Sequence, residues 1–294
     1  MTNTTYECPY CRMPSDGQQR SCPSCGAPID VTLRTSDSGW IELPPLRDMT
    51  KLYWNRSTCE VSGKYVPMTE MELGPEDGVY FSHHVLLHAD SRVQLDTLPM
   101  KGGFKRMMAG LPLVMMTAHG PGSLAFSEDA PGETIAVPLR AGQAINVHEH
   151  RFLVASSNVS YDWYQAPVWY STRSGNDTEY FYPIGQFVDR FQAQGQHGLL
   201  MLHAPGNVLI RDLAPRESIL VQPSSLIYYD GSVRLSLVSE QPGGAAAGSF
   251  NRTGYQSTTL WLSASGPGRI AIASVFERPE PPERWASGIE HRDW

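Results

Sequence analysis

The 294-residue sequence lacks any long hydrophobic run. Its most apolar short window, Leu111–Ala118, falls far below the roughly 20 residues that a membrane-crossing helix needs. No transmembrane segment is expected. The opening MTNTTYECPYC has neither a basic stretch nor an apolar core, so no secretory signal is read and the expected location is cytoplasmic. Positive charge is also short: 23 Lys+Arg stand against 30 Asp+Glu, a net charge of −7. That balance argues against an electrostatic grip on phosphate backbones, and no nucleic-acid partner is expected. Also missing are a Gly-x-Ser-x-Gly elbow, a His-Glu-x-x-His helix, a phosphate loop and a dinucleotide glycine fingerprint. No reaction can be read from the chain.

What is present is a pattern used three times. Leu73–Val93 reads LGPEDGVYFSHHVLLHADSRV, Leu139–Val159 reads LRAGQAINVHEHRFLVASSNV, and Leu213–Val233 reads LAPRESILVQPSSLIYYDGSV. The three align without a gap over 21 residues. Each has a small or turn residue (Pro75, Ala141, Pro215) and then an alternating pair (Val79/Phe81, Ile145/Val147, Ile219/Val221). An apolar pair follows (Leu86–Leu87, Phe152–Leu153, Leu226–Ile227). Alternation marks half-buried strands, and self-similarity at this length marks one supersecondary unit reused. With 23 Pro, 26 Gly and 41% hydrophobic residues, the expected fold is all-β. It is a three-repeat β-sandwich or double-stranded β-helix with pseudo-threefold symmetry, preceded by a small zinc ribbon. Ile145, Val147, Phe152, Leu153 and their equivalents are expected to be buried.

Cysteine is scarce, and four of the five residues fall in Cys8-Pro-Tyr-Cys11 and Cys22-Pro-Ser-Cys25-Gly26. Two thiolates on each tight knuckle, with ten residues between the pairs, complete a tetrahedral Zn2+ site. So short a segment cannot bury a core, so metal binding supplies its folding energy. Cys8, Cys11, Cys22 and Cys25 are therefore expected to hold one structural Zn2+ per chain, with no position open for catalysis. Cys59 stands alone and reads as a buried small apolar residue.

The expected divisions are 1–30 zinc ribbon, 31–57 linker and lead-in, 58–278 β domain and 279–294 disordered tail. Met100–Gly110 and Ile184–Gln194 carry helical spacing, the latter through Ile184, Phe187, Val188 and Phe191. Pro-Gly turns at 120–122, 205–206 and 266–268 each feed a strand. Residues 161–182 are rich in aromatics and suit strands with a stacking face.

Gly142 followed by His148-Glu149-His150 opens like a cupin metal motif, since residues i and i+2 of a strand share a face. The carboxylate expected shortly after is absent from Arg151–Ser156, and Ser224 breaks the repeat-equivalent histidine column. His148 and His150 are thus the alternative metal ligands, for a metal-dependent cupin-like enzyme. The first reading is a non-catalytic scaffold or interaction protein with a protein partner. Formation of a homo-oligomer is compatible with that role.

The stretches RMMAGLPLVMMTAHGPGSLAFSEDAPGETIAVPL, GLLMLHAPGNVLIRDLAP and GPGRIAIASVF resemble the altered inheritance of mitochondria (AIM) number-twenty-four family, over about residues 58–278. The resemblance implies three pseudo-equivalent β units and the fold group of the tryptophan RNA-binding attenuation protein. It implies no assigned activity, and a mitochondrial location does not follow, since the chain lacks transit-peptide composition. The zinc ribbon departs from the family pattern. A second departure is that the third repeat lacks the strand-turn segment which SEDAPGETIAV supplies to the second.

Overall fold

The computed structural model describes residues 5–8, 12–16, 22–27, 40–42, 50–63, 65–98, 115–174, 177–239 and 260–276. The expected helix at Met100–Gly110 and the expected tail lie outside them. Five strands precede the repeats: β1 (Thr5–Glu7), β2 (Pro14–Asp16), β3 (Ile41–Glu42), β4 (Thr50–Trp54) and β5 (Ser57–Ser62). Unit one comprises β6 (Met68–Leu73), β7 (Gly78–Ser82), β8 (Leu86–Ala89), β9 (Gln94–Leu98), β10 (Met115–His119) and β11 (Gly122–Phe126). Unit two begins with β12 (Glu133–Leu139), β13 (Ala144–His148), β14 (Phe152–Ser156) and β15 (Val159–Gln165). An extra hairpin, β16 (Tyr170–Ser174) and β17 (Asp177–Phe181), precedes its β18 (Phe187–Ala193) and β19 (Gly198–Ala204). Unit three comprises β20 (Val208–Leu213), β21 (Ser218–Val221), β22 (Leu226–Asp230), β23 (Arg234–Ser239), β24 (Leu260–Ser265) and β25 (Gly268–Ala273).

Every unit is wired alike. Its first, sixth and third strands form one layer (β6-β11-β8, β12-β19-β14, β20-β25-β22). Its second, fifth and fourth form the other (β7-β10-β9, β13-β18-β15, β21-β24-β23). All these pairings are antiparallel, and apolar alternation on the inner faces makes each unit a sandwich. The same bulge recurs in all three: the pairing skips Leu87, Leu153 and Ile227. The turn between first and second strands also recurs, with Asp77, Gln143 and Glu217 donating their N–H to the carbonyls of Gly74, Arg140 and Ala214. In two of them the side chain adds a clamp: Gln143 accepts from Arg140 N and Glu217 from Ala214 N.

Units join by strand pairing. β7 of unit one pairs with β14 of unit two, and β13 of unit two pairs with β22 of unit three. Layers of neighbouring units thereby merge into a six-stranded and a seven-stranded sheet. The hairpin β4–β5 extends unit one's sheet beside β6, while β3 extends unit three's beside β20. Asp77 fastens the hairpin turn by accepting from Asn55 Nδ2, Arg56 N and Ser57 Oγ. The main apolar cluster runs through all three units, from Phe81 and Phe126 to Leu200, Phe191 and Ile210. A second cluster fills unit three around Leu226, Leu262 and Ile270.

The all-β, three-unit sandwich matches the expectation, with corrections. Ile184–Gln194 is not a helix: Phe187–Ala193 is strand β18, paired with β13 on one side and β15 on the other. Pairing of its backbone with strands on both sides outweighs a helical spacing of four apolar residues. The strand Glu133–Leu139 is also no departure, because Met68–Leu73 and Val208–Leu213 are its counterparts. The insertion special to unit two is β16–β17, where Tyr170 stacks on Phe181 and Trp169 meets Tyr180 with centroids 5.0 and 5.5 Å apart. Ile145, Val147, Phe152 and Leu153 are buried, but Leu86, Leu87 and Ile219 are not.

Candidate metal centre

Two knuckles of identical construction carry the cysteines. Cys8 N–H donates to Met13 O and Arg12 N–H to Cys8 O; Cys22 N–H donates to Ala27 O and Gly26 N–H to Cys22 O. Cys8, Cys22 and Cys25 are buried, and their sulfur atoms lie within 4.8 Å of one another. Cys8 Sγ and Cys25 Sγ are 3.7 Å apart. Four thiolates at the usual Zn–S length of about 2.3 Å sit about 3.8 Å from each other at tetrahedral corners. The donor set and its spacing therefore fit Zn2+. The fourth predicted ligand, Cys11, lies outside the described residues.

Equivalent positions in the two knuckles are held by Arg12 and Gly26, and both have positive φ, 59° and 75°. Glycine takes that conformation freely, whereas arginine is strained there. The strained Arg12 reaches the β body. Its Nη1 donates to Asp230 Oδ2 at 2.7 Å, and Asp212 lies 3.9 Å from Nη2. Arg140 Nη2 donates to the Arg12 carbonyl. Arg269 completes the cluster: its N–H donates to Asp230, while Nε and Nη2 grip both oxygens of Asp212 at 2.8 and 2.7 Å. Burial pushes the Asp212 carboxyl up, but its hydrogen bond to Arg269 and the charges of Arg269 and Arg12 outweigh this and hold it below its ordinary value. Beside this junction a cleft of about 250 Å3 lies between the cysteine knuckles and the β strands, lined by Met13, Cys25, Leu52, Trp54, Arg140 and Leu199.

The histidines are arranged otherwise. β13 ends at His148, and His150 lies in the following turn with φ 61°. The i, i+2 rule therefore does not put the two imidazoles on one strand face. His148 is half-buried with Nδ1 2.9 Å from the Glu149 carbonyl, and burial pushes its pKa down to about 4. His150 is exposed, and Glu149 accepts from Phe187 N. Among the described residues, the one cluster of three or more potential ligands is that of Cys8, Cys22 and Cys25. Cys59 is fully buried between Leu52 and Met71 of adjacent strands, and burial raises its thiol pKa far above the usual range. Sequence reasoning missed Arg12, Asp212, Asp230 and Arg269; the one local signal was an arginine where the second knuckle has glycine.

No helix among the described residues is long and apolar enough to cross a membrane. These features define an all-β protein of three like units with a cysteine cluster docked at its N-terminal end. The family model for mitochondrial biogenesis AIM24 matches residues 59–275, and the chain belongs to that family. Its fold is similar to the crystal structure of protein SPYM3_0169 from Streptococcus pyogenes, with TM-score 0.54 and 16% identity, covering 80% of this chain and 99% of that one. Among curated proteins, no sequence matches the chain.

Proposed function

We propose that the chain is a non-catalytic scaffold of the AIM24 family, in which a structural zinc ribbon (residues 1–30) serves as a docking element on the three-unit β domain (58–278). The observation that carries this reading is the pairing of three buried, converging sulfurs with a knuckle residue, Arg12, committed to Asp230. Cys8, Cys11, Cys22 and Cys25 would hold the metal, which supplies cross-linking of a segment too short to fold alone. All four ligand positions are then protein thiolates, so the site is closed. A reducing compartment such as the cytoplasm keeps those thiols available. The units' apolar columns are shared while their polar columns differ: Ser82, His148 and Gln222 occupy one position, and Tyr80, Asn146 and Leu220 another. Each unit therefore differs at positions that are buried in one unit and exposed in another (Tyr80 and Asn146 against Leu220), on one shared frame, and protein partners are the expected ligands.

Metal analysis of the purified full chain tests this. One zinc per chain is expected, lost in Cys22→Ser and retained when His148 and His150 are both replaced by Ala. A stoichiometric metal that disappears with the two histidines and survives Cys22→Ser would overturn the reading.

A further inference from the structure

Two of the three possible joints between units are made inside the chain, and they share one register. Phe81, Tyr80 and Val79 of β7 face Val154, Ala155 and Ser156 of β14. Val147, Asn146 and Ile145 of β13 face Tyr228, Tyr229 and Asp230 of β22. Repeat equivalence assigns the third joint to β21 and β8, with Val221 facing His88, Leu220 facing Ala89, and Ile219 facing Asp90. That joint is not made. β8 ends the five-stranded sheet and β21 ends the three-stranded sheet, each paired on one side only among the described residues.

Apolar side chains stand uncovered at this joint. At the bulge position Leu153 and Ile227 are 1% and 0% exposed, whereas Leu87 is 57% exposed. In the second-strand column Tyr80 and Asn146 are each 4% exposed, whereas Leu220 is 54% exposed. Unpaired strand edges present rows of unsatisfied N–H and C=O groups, and proteins ordinarily blunt them with charge or proline. The strands β8 (LLHA) and β21 (SILV) contain neither lysine, carboxylate nor proline.

We infer that β8 and β21 are the two halves of a self-association interface, β8 of one copy pairing antiparallel with β21 of another. The occupant is a second copy of this chain because each edge lacks what the other supplies. β8 needs a second-type strand and β21 a third-type strand, and the two completed joints show that this pairing sets its own register. The contact is heterologous, so it continues the sheet from unit to unit across copies as it already does within one. This names a partner for the scaffold role and rests on that reading.

The test uses the full chain with one added cysteine at a facing position, Ala89→Cys in one sample and Leu220→Cys in another. Mixing the two under mild oxidation is expected to give a disulfide-linked two-chain product, well above that from either alone or from the unsubstituted chain. Sedimentation of the unsubstituted chain should show mass rising with concentration. Leu87→Lys, at an exposed position, should weaken that association at least about tenfold without lowering the melting temperature. A chain that stays monomeric at all concentrations overturns the inference. So does a double variant, Ala89→Cys with Leu220→Cys, that cross-links only within single chains. Zinc content is read on the same samples: cross-linking without zinc would remove the metal from the proposed function and leave the scaffold role, on which this interface rests, standing.

Discussion

Arg12 and Asp230 are separated by 218 positions in the chain and meet through a 2.7 Å ion pair, with 22% and 11% of their side chains exposed. The pair joins the first knuckle to the end of β22, and it explains why a bulky residue occupies a backbone conformation that the sister knuckle gives to glycine. Arg12→Gly relieves the backbone and removes the tether together. The expected outcome is a chain that keeps its zinc while β1–β2 loses about 1–3 kcal/mol of protection, the scale of a hydrogen bond between charged groups. Hydrogen exchange at Thr5–Glu7 checks it. Unchanged protection would show that the tether contributes nothing.

Metal loss and domain unfolding should separate. Cys8→Ser is expected to release zinc and unfold the ribbon, while residues 58–278 keep a cooperative melt. Zinc analysis alongside circular dichroism measures both. A single transition that vanishes with the metal would mean ribbon and β domain fold as one unit.

Acid should act through His148. Its folded pKa of about 4 lies below the ordinary value of about 6.5 because burial disfavours the imidazolium. The unfolded chain therefore binds the proton first. Stability present above about pH 6.5 is lost as pH falls toward about 4, by up to about 3 kcal/mol for this one group. Urea midpoints at pH 7 and pH 4.5 should drop less in His148→Asn than in the unsubstituted chain. Equal drops would exclude the assignment.

The Gly-Pro-Gly turns are sterically closed. A Cβ on Gly120 would lie 2.2 Å from the Gly74 carbonyl oxygen, and one on the equivalent Gly266 would lie 2.5 Å from that of Ala214. Both obstacles are backbone, so relief requires moving a strand end. Gly120→Ala and Gly266→Ala should each cost roughly 1–3 kcal/mol, as overpacking does. Gly231→Ala, with nothing within 4 Å of the new methyl, should fall within about 0.5 kcal/mol. Denaturant midpoints of the three variants decide the order.

The repeat was legible because its signals are local: alternation, a turn residue after the opening leucine, an apolar pair. The cysteine knuckles were legible for the same reason. The Pro-Gly turns were visible but of two kinds. Gly-Pro-Gly at 120–122 and 266–268 joins the fifth and sixth strands of a unit, whereas Ala-Pro-Gly at 130–132 and 204–206 passes the chain to the next unit. Phe187, Val188 and Phe191 misled because residues four apart share a face in a strand as they do in a helix: Phe187 and Phe191 lie on one buried face, while Val188 is buried on the other, whose Arg190 is exposed. The joints between units and the Arg12 tether depend on residues from distant parts of the chain, and no local pattern encodes them.

A ring of three identical subunits would offer any guest three equal berths. Here the position held by Asp230 is occupied in the other two units by Ser156 and Asp90. Ser156 has no charge to offer, and its hydroxyl is engaged with Asn158 and Leu199 N. Asp90 is already bound by Arg92 of its own turn, through N, Nε and Nη2. The N-terminal knuckle therefore finds a single mooring among three equivalent positions. Because the three units differ at that column, the arginine of the first knuckle has one carboxylate to bind and the knuckle one place to rest.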